Sequence, residues 1–282
     1  MPDIWGLAAI ITKMALYLGV LTAVGSVIVA LVFNTDHYRG PAIAFGVLGL
    51  AAAVLSVSLG GANLTGDASG MADPEMLGLL WGTSVGTALL CRVLGLGLLI
   101  AGLFMGRGGL LLSSVGGVIA LWSFPLVSHV STRDTALLDG ALVLHLGAVA
   151  FWLGILIPLK RLAAVPADWP RAADLGHRFG IVARGVIPAL VVAGVYLGYM
   201  LVGSIAALLG TGYGQAMILK VLFVVGLLAL GAANKLRFIP ALKAGDPHAA
   251  GHLSRSISIE WGVILTVLAV TAVLTSTLAL PT

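Results

Sequence analysis

Apolar and polar positions along the chain are grouped in long blocks, and the apolar blocks predict membrane-spanning helices. A bilayer core of roughly 30 Å is crossed by about 20 apolar residues of helix. Eight segments reach this length: 5–33, 41–61, 76–104, 110–129, 139–159, 181–203, 214–238 and 257–279. Polar, proline and glycine residues between them indicate loops, the larger ones at 160–180, 204–212 and 235–256. The pattern therefore predicts an all-α polytopic membrane protein with eight transmembrane helices.

The composition excludes the common classes of soluble protein. Of the 282 residues, 60% are hydrophobic and 9% are charged, whereas about 25% are charged in ordinary globular chains. So few charges cannot cover the surface of a soluble fold, and so apolar a chain is not intrinsically disordered. The single cysteine, Cys91, forms no disulfide framework. We interpret 1–282 as a single integral membrane domain that begins with a true span and not with a cleaved signal peptide.

Basic residues are distributed unevenly between the two sides of this domain. Ten Lys and Arg residues lie in the segments after spans 1, 3, 5 and 7, whereas the opposite side and the termini hold only Arg133. Because cytoplasmic loops are enriched in Lys and Arg, this bias places both termini outside the cytoplasm. The net charge of +4 comes without a dense basic tract, so we expect a lipid environment and no nucleic acid partner.

Two short patterns recur at an offset of 128 residues. Tyr17-Leu18-Gly19 aligns with His145-Leu146-Gly147, and Thr83-x-x-Gly86-x5-Arg92 aligns with Thr211-x-x-Gly214-x5-Lys220. Each half would contain four helices, and an even number gives both halves the same orientation. The sequence therefore predicts a parallel 4+4 internal repeat with halves of about 1–130 and 131–282, an arrangement known in transporters.

Ionisable side chains within the apolar spans are costly to insert and mark positions of interest. Lys13, Arg92, His145, Lys220 and Glu260 are side chains of this kind. Arg92 and Lys220 occupy equivalent positions of the predicted repeat, so they would hold unwound backbone or line a wet cavity. The alternative for each residue is snorkelling to an interface or pairing with a carbonyl. For Glu260, near the cytoplasmic end of its span, we favour that alternative.

Two histidines lie at or within apolar spans. His129 ends span 4 at the outer face, and His145 lies about six residues beyond Asp139 in span 5. A short loop joins these spans, so we expect antiparallel neighbours whose imidazoles can meet. From the residues alone, such a pair is a set of metal or haem ligands, a proton relay, or two buried hydrogen-bonding residues. The other histidines fall in predicted cytoplasmic loops, where solvated histidine is the default: His37, His177, His248 and His252.

Methionines are concentrated on the same predicted side as His129 and His145. Thioether and imidazole together suit Cu(I), whereas hard cations prefer oxygen ligands. Methionine also fills gaps in apolar cores, which is the simpler explanation for any one of them. Met14 shares a helix face with Tyr17, and Met217 shares one with Lys220, because each pair is three residues apart. The methionines of the outer half are Met14, Met71, Met76, Met200 and Met217.

Acidic residues also collect on the predicted outer side, where they would raise the local concentration of cations. Translocated loops that are merely poor in Lys and Arg would give the same pattern. The chain contains no G-x4-G-K-[ST] phosphate loop and no Cys-x-x-Cys pair. We therefore predict no enzymatic activity, and any transport would be secondary, passive or driven by another protein. The acidic set is Asp3, Asp67, Asp73, Glu75, Asp134 and Asp139.

The order of several motifs resembles the copper resistance protein D family. That family typically has a Gly-His-Ala, then a histidine on the next helix followed by Trp-x-Gly-x-x-x-Pro-Leu. Here Ser128-His129-Val130 is followed by His145 and then by Trp152-Leu-Gly-Ile-Leu-Ile-Pro158-Leu. Segments 209–220 and 234–240 are similar to the family's second conserved block, and 83–92 is similar to its Thr-x-x-Gly-x5-Arg element. Ser128 and Val130 depart from the family's Gly and Ala.

The resemblance implies a copper-handling protein of the bacterial cytoplasmic (inner) membrane that moves copper from the periplasm to the cytoplasm in copper homeostasis or resistance. It also implies a periplasmic copper-binding partner of the CopC type. We expect copper, as Cu(I), to be bound or transported by His129 and His145, with further metal ligands among Met14, Met71, Met76 and Met217. The expected cation-steering residues are Asp67, Asp73, Glu75 and Asp139. The expected intramembrane polar or structural residues are Tyr17, Arg92, Trp152 and Lys220.

Two alternatives from other classes remain open. His129 and His145 could be the axial ligands of a haem b, which would make the protein a membrane electron carrier. The chain could instead be a scaffold for a copper-loading complex and transport nothing itself. In the transport hypothesis His248 and His252 could receive the ion at the cytoplasmic side, although solvated loop histidines explain them as well.

Overall fold

The computed structural model describes residues 4–127 and 136–278 of the chain. Within these residues the structure is helical and has no strand, which confirms the predicted all-α class. The α-helices are α1 Ile4–Phe33, α2 Arg39–Thr65, α3 Pro74–Trp81, α4 Ser84–Gly102, α5 Gly106–Trp122, α6 Ala136–Ala163, α7 Trp169–Val202, α8 Ile205–Gly210, α9 Gly212–Ala233, α10 Ile239–Lys243 and α11 Ala249–Ser276. Short 3-10 turns lie at Ala68–Met71, Pro125–Val127 and Pro166–Asp168, and a π-helical segment lies at Asn234–Phe238.

Eight stretches among the described residues are long and apolar enough to cross a membrane, as the sequence predicts. The protein is therefore a multi-pass membrane protein. The stretches are Ile4–Phe33, Arg39–Thr65, Ser84–Gly102, Gly108–Val127, Ala136–Ala163, Pro166–Val202, Gly212–Lys243 and Ala249–Ser276.

Two of the predicted loops are wrong in extent because they are largely helical. Helix α7 begins at Trp169, inside the predicted loop 160–180, and α11 begins at Ala249, inside the predicted loop 235–256. Both segments alternate polar residues with small or apolar residues that the fold buries, such as Ala173 and Leu253. They are amphipathic extensions of the spans. Because they contain polar residues, the length of the apolar stretch does not reveal them.

The predicted span 76–104 is divided into α3 and α4, and the predicted loop 204–212 contains α8. In both places a threonine caps the following helix: the Thr83 hydroxyl accepts from the Val85 N–H (3.2 Å), and the Thr211 hydroxyl accepts from the Gly214 N–H (3.0 Å). A Cβ on Gly86 would lie 2.3 Å from the Trp81 carbonyl oxygen, and a Cβ on Gly214 would lie 2.2 Å from that of Leu208. The recurring Thr-x-x-Gly pattern thus builds the same short-helix, cap and long-helix unit twice. The 4+4 repeat as a whole stays a prediction.

Helix α1 lies at the centre and packs against α2, α5, α6 and α11, which belong to both predicted halves. One of its close contacts is with α6, where the two backbones touch. A Cβ on Gly25 would lie 1.9 Å from the Ala150 carbonyl oxygen, and a Cβ on Gly154 would lie 2.1 Å from that of Gly25. Only glycine fits these two positions, because any side chain would force the helices apart.

Polar contacts show which loops lie together at each end of the helix bundle. At one end Arg171 forms an ion pair with Asp36 (2.8 Å), and Arg161 donates to the His37 carbonyl (3.3 Å). At the other end the Trp5 indole N–H donates to the Gly66 carbonyl (3.1 Å). Loops separated by an even number of spans therefore meet at one end of the bundle, as the alternating arrangement requires.

Candidate functional site

His145 lies on α6, where its ring faces α7. Its Nδ1 is 3.2 Å from the carbonyl oxygen of Leu190. The ring also covers Gly194 one turn further along α7, where an added Cβ would lie 3.1 Å from Cε1. The absence of a side chain at Gly194 thus makes room for the imidazole between the two helices.

The hydrogen bond to Leu190 fixes which ring nitrogen of His145 can bind a metal. A carbonyl oxygen only accepts, so Nδ1 must carry the hydrogen and donate it. In the neutral ring this leaves a lone pair on Nε2. No hydrogen-bond partner for Nε2 occurs within the residues that the structure describes. An N–H···O=C bond on one nitrogen with the other nitrogen open is the usual arrangement of a metal-binding histidine.

His129, the predicted partner of His145, lies outside the described residues, as do Ser128 and Val130. The structure does describe how the backbone just before them is held. Arg92 is 5% exposed and donates from Nε to the Ser123 hydroxyl (3.1 Å) at the end of α5. Its guanidinium also lies over the Phe124 ring, 5.4 Å from the centroid. Arg92 therefore contacts the two residues that follow α5, Ser123 and Phe124. Its role as an intramembrane structural residue stays a prediction.

Tyr17 and Lys13 extend this polar cluster onto α1. The Tyr17 ring stacks on Phe124 with centroids 5.0 Å apart, and Arg92 interacts electrostatically with Tyr17. Lys13 donates from Nζ to the Thr275 carbonyl of α11 (2.7 Å), which is the carbonyl pairing considered for it above. The cluster ties α1, α4, the end of α5 and the end of α11 together.

Lys220 of α9 interacts electrostatically with His145 of α6. Arg92 of α4 likewise interacts electrostatically with Tyr17 of α1. Lys220 aligns with Arg92, and His145 with Tyr17, at the offset of 128 residues. In each of the two aligned segments the basic residue therefore interacts electrostatically with the residue aligned on α1 or α6. The two places differ in chemistry, because one presents a phenol and the other an imidazole.

The predicted methionine ligands lie on different elements of the fold. Met14 packs against the main core, whereas Met217 packs in a separate cluster with Val202 and Leu274. Met71 ends a 3-10 turn, and Met76 lies on α3. Across residues 4–127 and 136–278 no three His, Cys, Asp or Glu side chains are close enough to hold a metal ion together. The methionine ligands thus stay a prediction.

The predicted steering carboxylates have local structural roles. Asp67 accepts from the Ser69 N–H (2.7 Å) and Asp73 accepts from the Glu75 N–H (2.9 Å), so each begins a helical turn. Asp139 lies in the first turn of α6. Hydrogen bonding by Ser69 lowers the pKa of Asp67 below its ordinary value, so this exposed carboxylate stays charged at lower pH.

Glu260 corrects the sequence analysis, which favoured snorkelling or carbonyl pairing. Its side chain is 1% exposed. The Trp152 indole N–H donates to Oε2 (2.8 Å), and the Asn234 amide donates to Oε1. The other amide atom, Asn234 Oδ1, has no hydrogen-bond partner among the described residues, and the same is true of Ser256 Oγ one turn from Glu260. Sequence reasoning missed Asn234 as a partner, although a polar side chain ending an apolar run was visible.

Fold and site together define a multi-pass membrane protein with a half-buried histidine inside an apolar helix, its Nδ1 hydrogen-bonded to a backbone carbonyl. Residues 1–138 match the family model of the copper resistance protein D-like N-terminal domain, and residues 173–274 match that of copper resistance protein D. The chain belongs to the copper resistance protein D family. This membership supports a role in copper transport or resistance.

A curated relative gives the same indication. The chain is 28% identical over 138 residues to the copper transport protein CutJ of Bacillus subtilis (strain 168). The match covers 47% of this chain and 24% of that relative, so the chain spans about a quarter of the relative's length. No solved structure matches the chain.

Proposed function

We propose that this protein transports copper ions across the bacterial cytoplasmic membrane, from the periplasm into the cytoplasm. The observation that carries the proposal is the orientation of His145. Its Nδ1 is committed to the Leu190 carbonyl, so Nε2 is the nitrogen available for copper. Family membership supports copper as the cargo.

Copper would bind as Cu(I) to His145 and His129, with one or more of Met14, Met71, Met76 and Met217 as further ligands. The donor chemistry supports Cu(I), since imidazole and thioether are soft ligands. Arg92 would act as a positioning residue, because it anchors Ser123 at the end of the helix that precedes His129.

Capture would occur at the periplasmic side, where both termini would lie. Asp67, Asp73, Glu75 and Asp139 would attract the cation there, and a CopC-like protein would deliver it. His248 and His252 would lie at the opposite, cytoplasmic side. The His252 N–H donates to the His248 carbonyl (3.1 Å), so the two are one helical turn apart.

The test is copper retained per purified chain after anaerobic Cu(I) loading and desalting. The informative variant is His145→Asn, because the Asn amide can replace Nδ1 as a donor to Leu190 but offers nothing in place of Nε2. We expect wild-type protein to retain copper and His145→Asn and His129→Ala to lose it. His37→Asn is the matched control: His37 has a positive φ of 60°, which Asn tolerates, and it lies at the other end of the bundle.

Flux into proteoliposomes that contain a Cu(I) indicator then tests transport. Uptake by wild type and the His37 control, but not by His145→Asn, is the expected result. Equal copper retention by wild type and the His129/His145 double variant would overturn the proposal. A haem absorption band in the purified protein would support the electron carrier instead. Copper retention without flux would support the scaffold.

A further inference from the structure

A groove lined by basic side chains lies between α7 and the segment from Lys235 to Lys243. It measures about 330 Å³. Four residues with basic side chains line it, and its lining includes no carboxylate: His177, Arg184, Lys235 and Lys243. Within the described part of the chain none of these four forms an ion pair or a side-chain hydrogen bond. Three of them, Arg184, Lys235 and Lys243, are cations, and cations that share one concave surface favour an anion there.

The two walls approach closely because α7 presents glycine to the groove. A Cβ on Gly176 would lie 2.3 Å from Ile239 Cδ1, and a Cβ on Gly180 would lie 3.3 Å from Lys235 Cγ. The aliphatic stem of Lys235 thus lies across Gly180, which holds its ammonium in the groove. These two contacts also show that the walls run antiparallel, so Arg184 lies one turn deeper towards the membrane spans than Lys235.

The π-helical segment Asn234–Phe238 shapes the other wall. Pro240 has no N–H to continue the α-helical hydrogen bonding, and the Ile239 N–H bonds to the Asn234 carbonyl five residues back. The widened turn places Lys235 and Leu236 on the surface before the chain returns to α-helix at Ile239. Short π segments of this kind frequently mark functional sites.

Apolar side chains continue the groove on its membrane side. Leu236 is 73% exposed and Ile181 is 46% exposed, and both line the groove beside the cations. In a membrane protein such residues face acyl chains. A soluble anion would gain nothing from them, whereas a phospholipid would place its phosphate among the cations and its chains against these residues.

We propose that this groove binds the headgroup of an anionic phospholipid. Arg184, Lys235 and Lys243 contact the phosphate, and Ile181 and Leu236 contact the acyl chains. The site lies at the opposite end of the bundle from the outer half that holds His145. It does not depend on copper binding or transport.

The test measures binding of phosphatidylglycerol and of cardiolipin to the purified full chain in neutral detergent, by native mass spectrometry and titration. The groove variant combines Arg184→Gln, Lys235→Gln and Lys243→Gln. The matched control combines Arg39→Gln, Arg237→Gln and Arg255→Gln, which removes the same charge from exposed positions that do not line the groove. We expect the groove variant to lose about a hundredfold in affinity, since each cation near an anionic lipid contributes about fivefold. The control should lose much less.

Lys235→Arg keeps the charge and should bind like wild type, which separates lost binding from misfolding. Phosphatidylcholine tests whether the negative headgroup is required, and inorganic phosphate tests whether the lipid chains are. Equal losses in the groove and control variants would overturn the proposal, because the effect would then come from surface charge in general. Binding of inorganic phosphate as tight as that of the lipid would also overturn it.

Discussion

Glu260 shows how a carboxyl group can be accommodated inside an apolar bundle without a basic partner. Each of its oxygens receives one neutral donor, from Trp152 and from Asn234. Neutral donors cost less to bury than a lysine or arginine would. Gly231 leaves room for the indole ring of Trp152, because a Cβ added at Gly231 would lie 3.0 Å from that ring. The same tryptophan belongs to the motif that carries the family resemblance.

Substitutions at Glu260 separate the contribution of its hydrogen bonds from that of its charge. In Glu260→Gln the new amide can donate to Asn234 Oδ1 if that side chain flips, and its oxygen still accepts from Trp152. In Glu260→Ala both donors lose their acceptor and a cavity remains. We expect Glu260→Gln to unfold at about the wild-type temperature in detergent, and Glu260→Ala to be less stable than Glu260→Gln by about 2–5 kcal/mol. Equal destabilisation of both would show that the charge itself is required.

At the level of helices, apolar length was sufficient to predict the number of spans but not where they end. Apolar length identifies the eight stretches because a bilayer imposes one length on all of them. It does not locate the starts of α7 and α11, since those turns lie outside the apolar stretch and are held by packing of small residues such as Ala173. It also missed the break before Thr83, whose capping role depends on the hydrogen bond to Val85.

The sequence predicts which residues belong to the candidate site, but it does not predict which atoms they contact. His145 was evident because it is a polar residue in an apolar run. Its acceptor, the Leu190 carbonyl, was not, because backbone acceptors have no sequence signature and the register between α6 and α7 depends on packing around Gly194. The pairing of Trp152 with Glu260 joins residues 108 positions apart, and nothing in a single sequence specifies such a contact.

The backbone contact between α1 and α6 gives a prediction at this level. Gly154→Ala places a methyl group against the Gly25 carbonyl and should separate the two helices, which lowers stability by about 1–3 kcal/mol. Gly97→Ala is the matched control, because a Cβ added there would meet no atom of another described element within 4 Å. It should be neutral or slightly stabilising, as alanine is the better helix former. Thermal unfolding in detergent measures both, and similar stability of the two variants would contradict the contact.

At the level of the whole molecule, the distribution of Lys and Arg predicts which end of the bundle faces the cytoplasm. The structure brings the basic loops to one end, where Arg171 pairs with Asp36. It places Asp67 and Asp73 in the segment between α2 and α4, at the other end. The proposed path for copper runs from the acidic end to the basic end.

Labelling of single cysteines tests this orientation. In a background with Cys91→Ala, we expect Ala72→Cys to react with a membrane-impermeant maleimide in intact spheroplasts. Ala244→Cys should react only after lysis. Both alanines are exposed in the fold, so burial does not limit either reaction. The reverse pattern would invert the direction of the proposed import, and labelling of both in intact spheroplasts would contradict the alternating arrangement.

The central position of α1 has a consequence for biogenesis. The ribosome makes α1 before α6, so the Gly25 surface of α1 has no α6 partner during that interval. A chain that ends before α6 therefore leaves the glycine surface of its central helix without the helix that covers it in the fold.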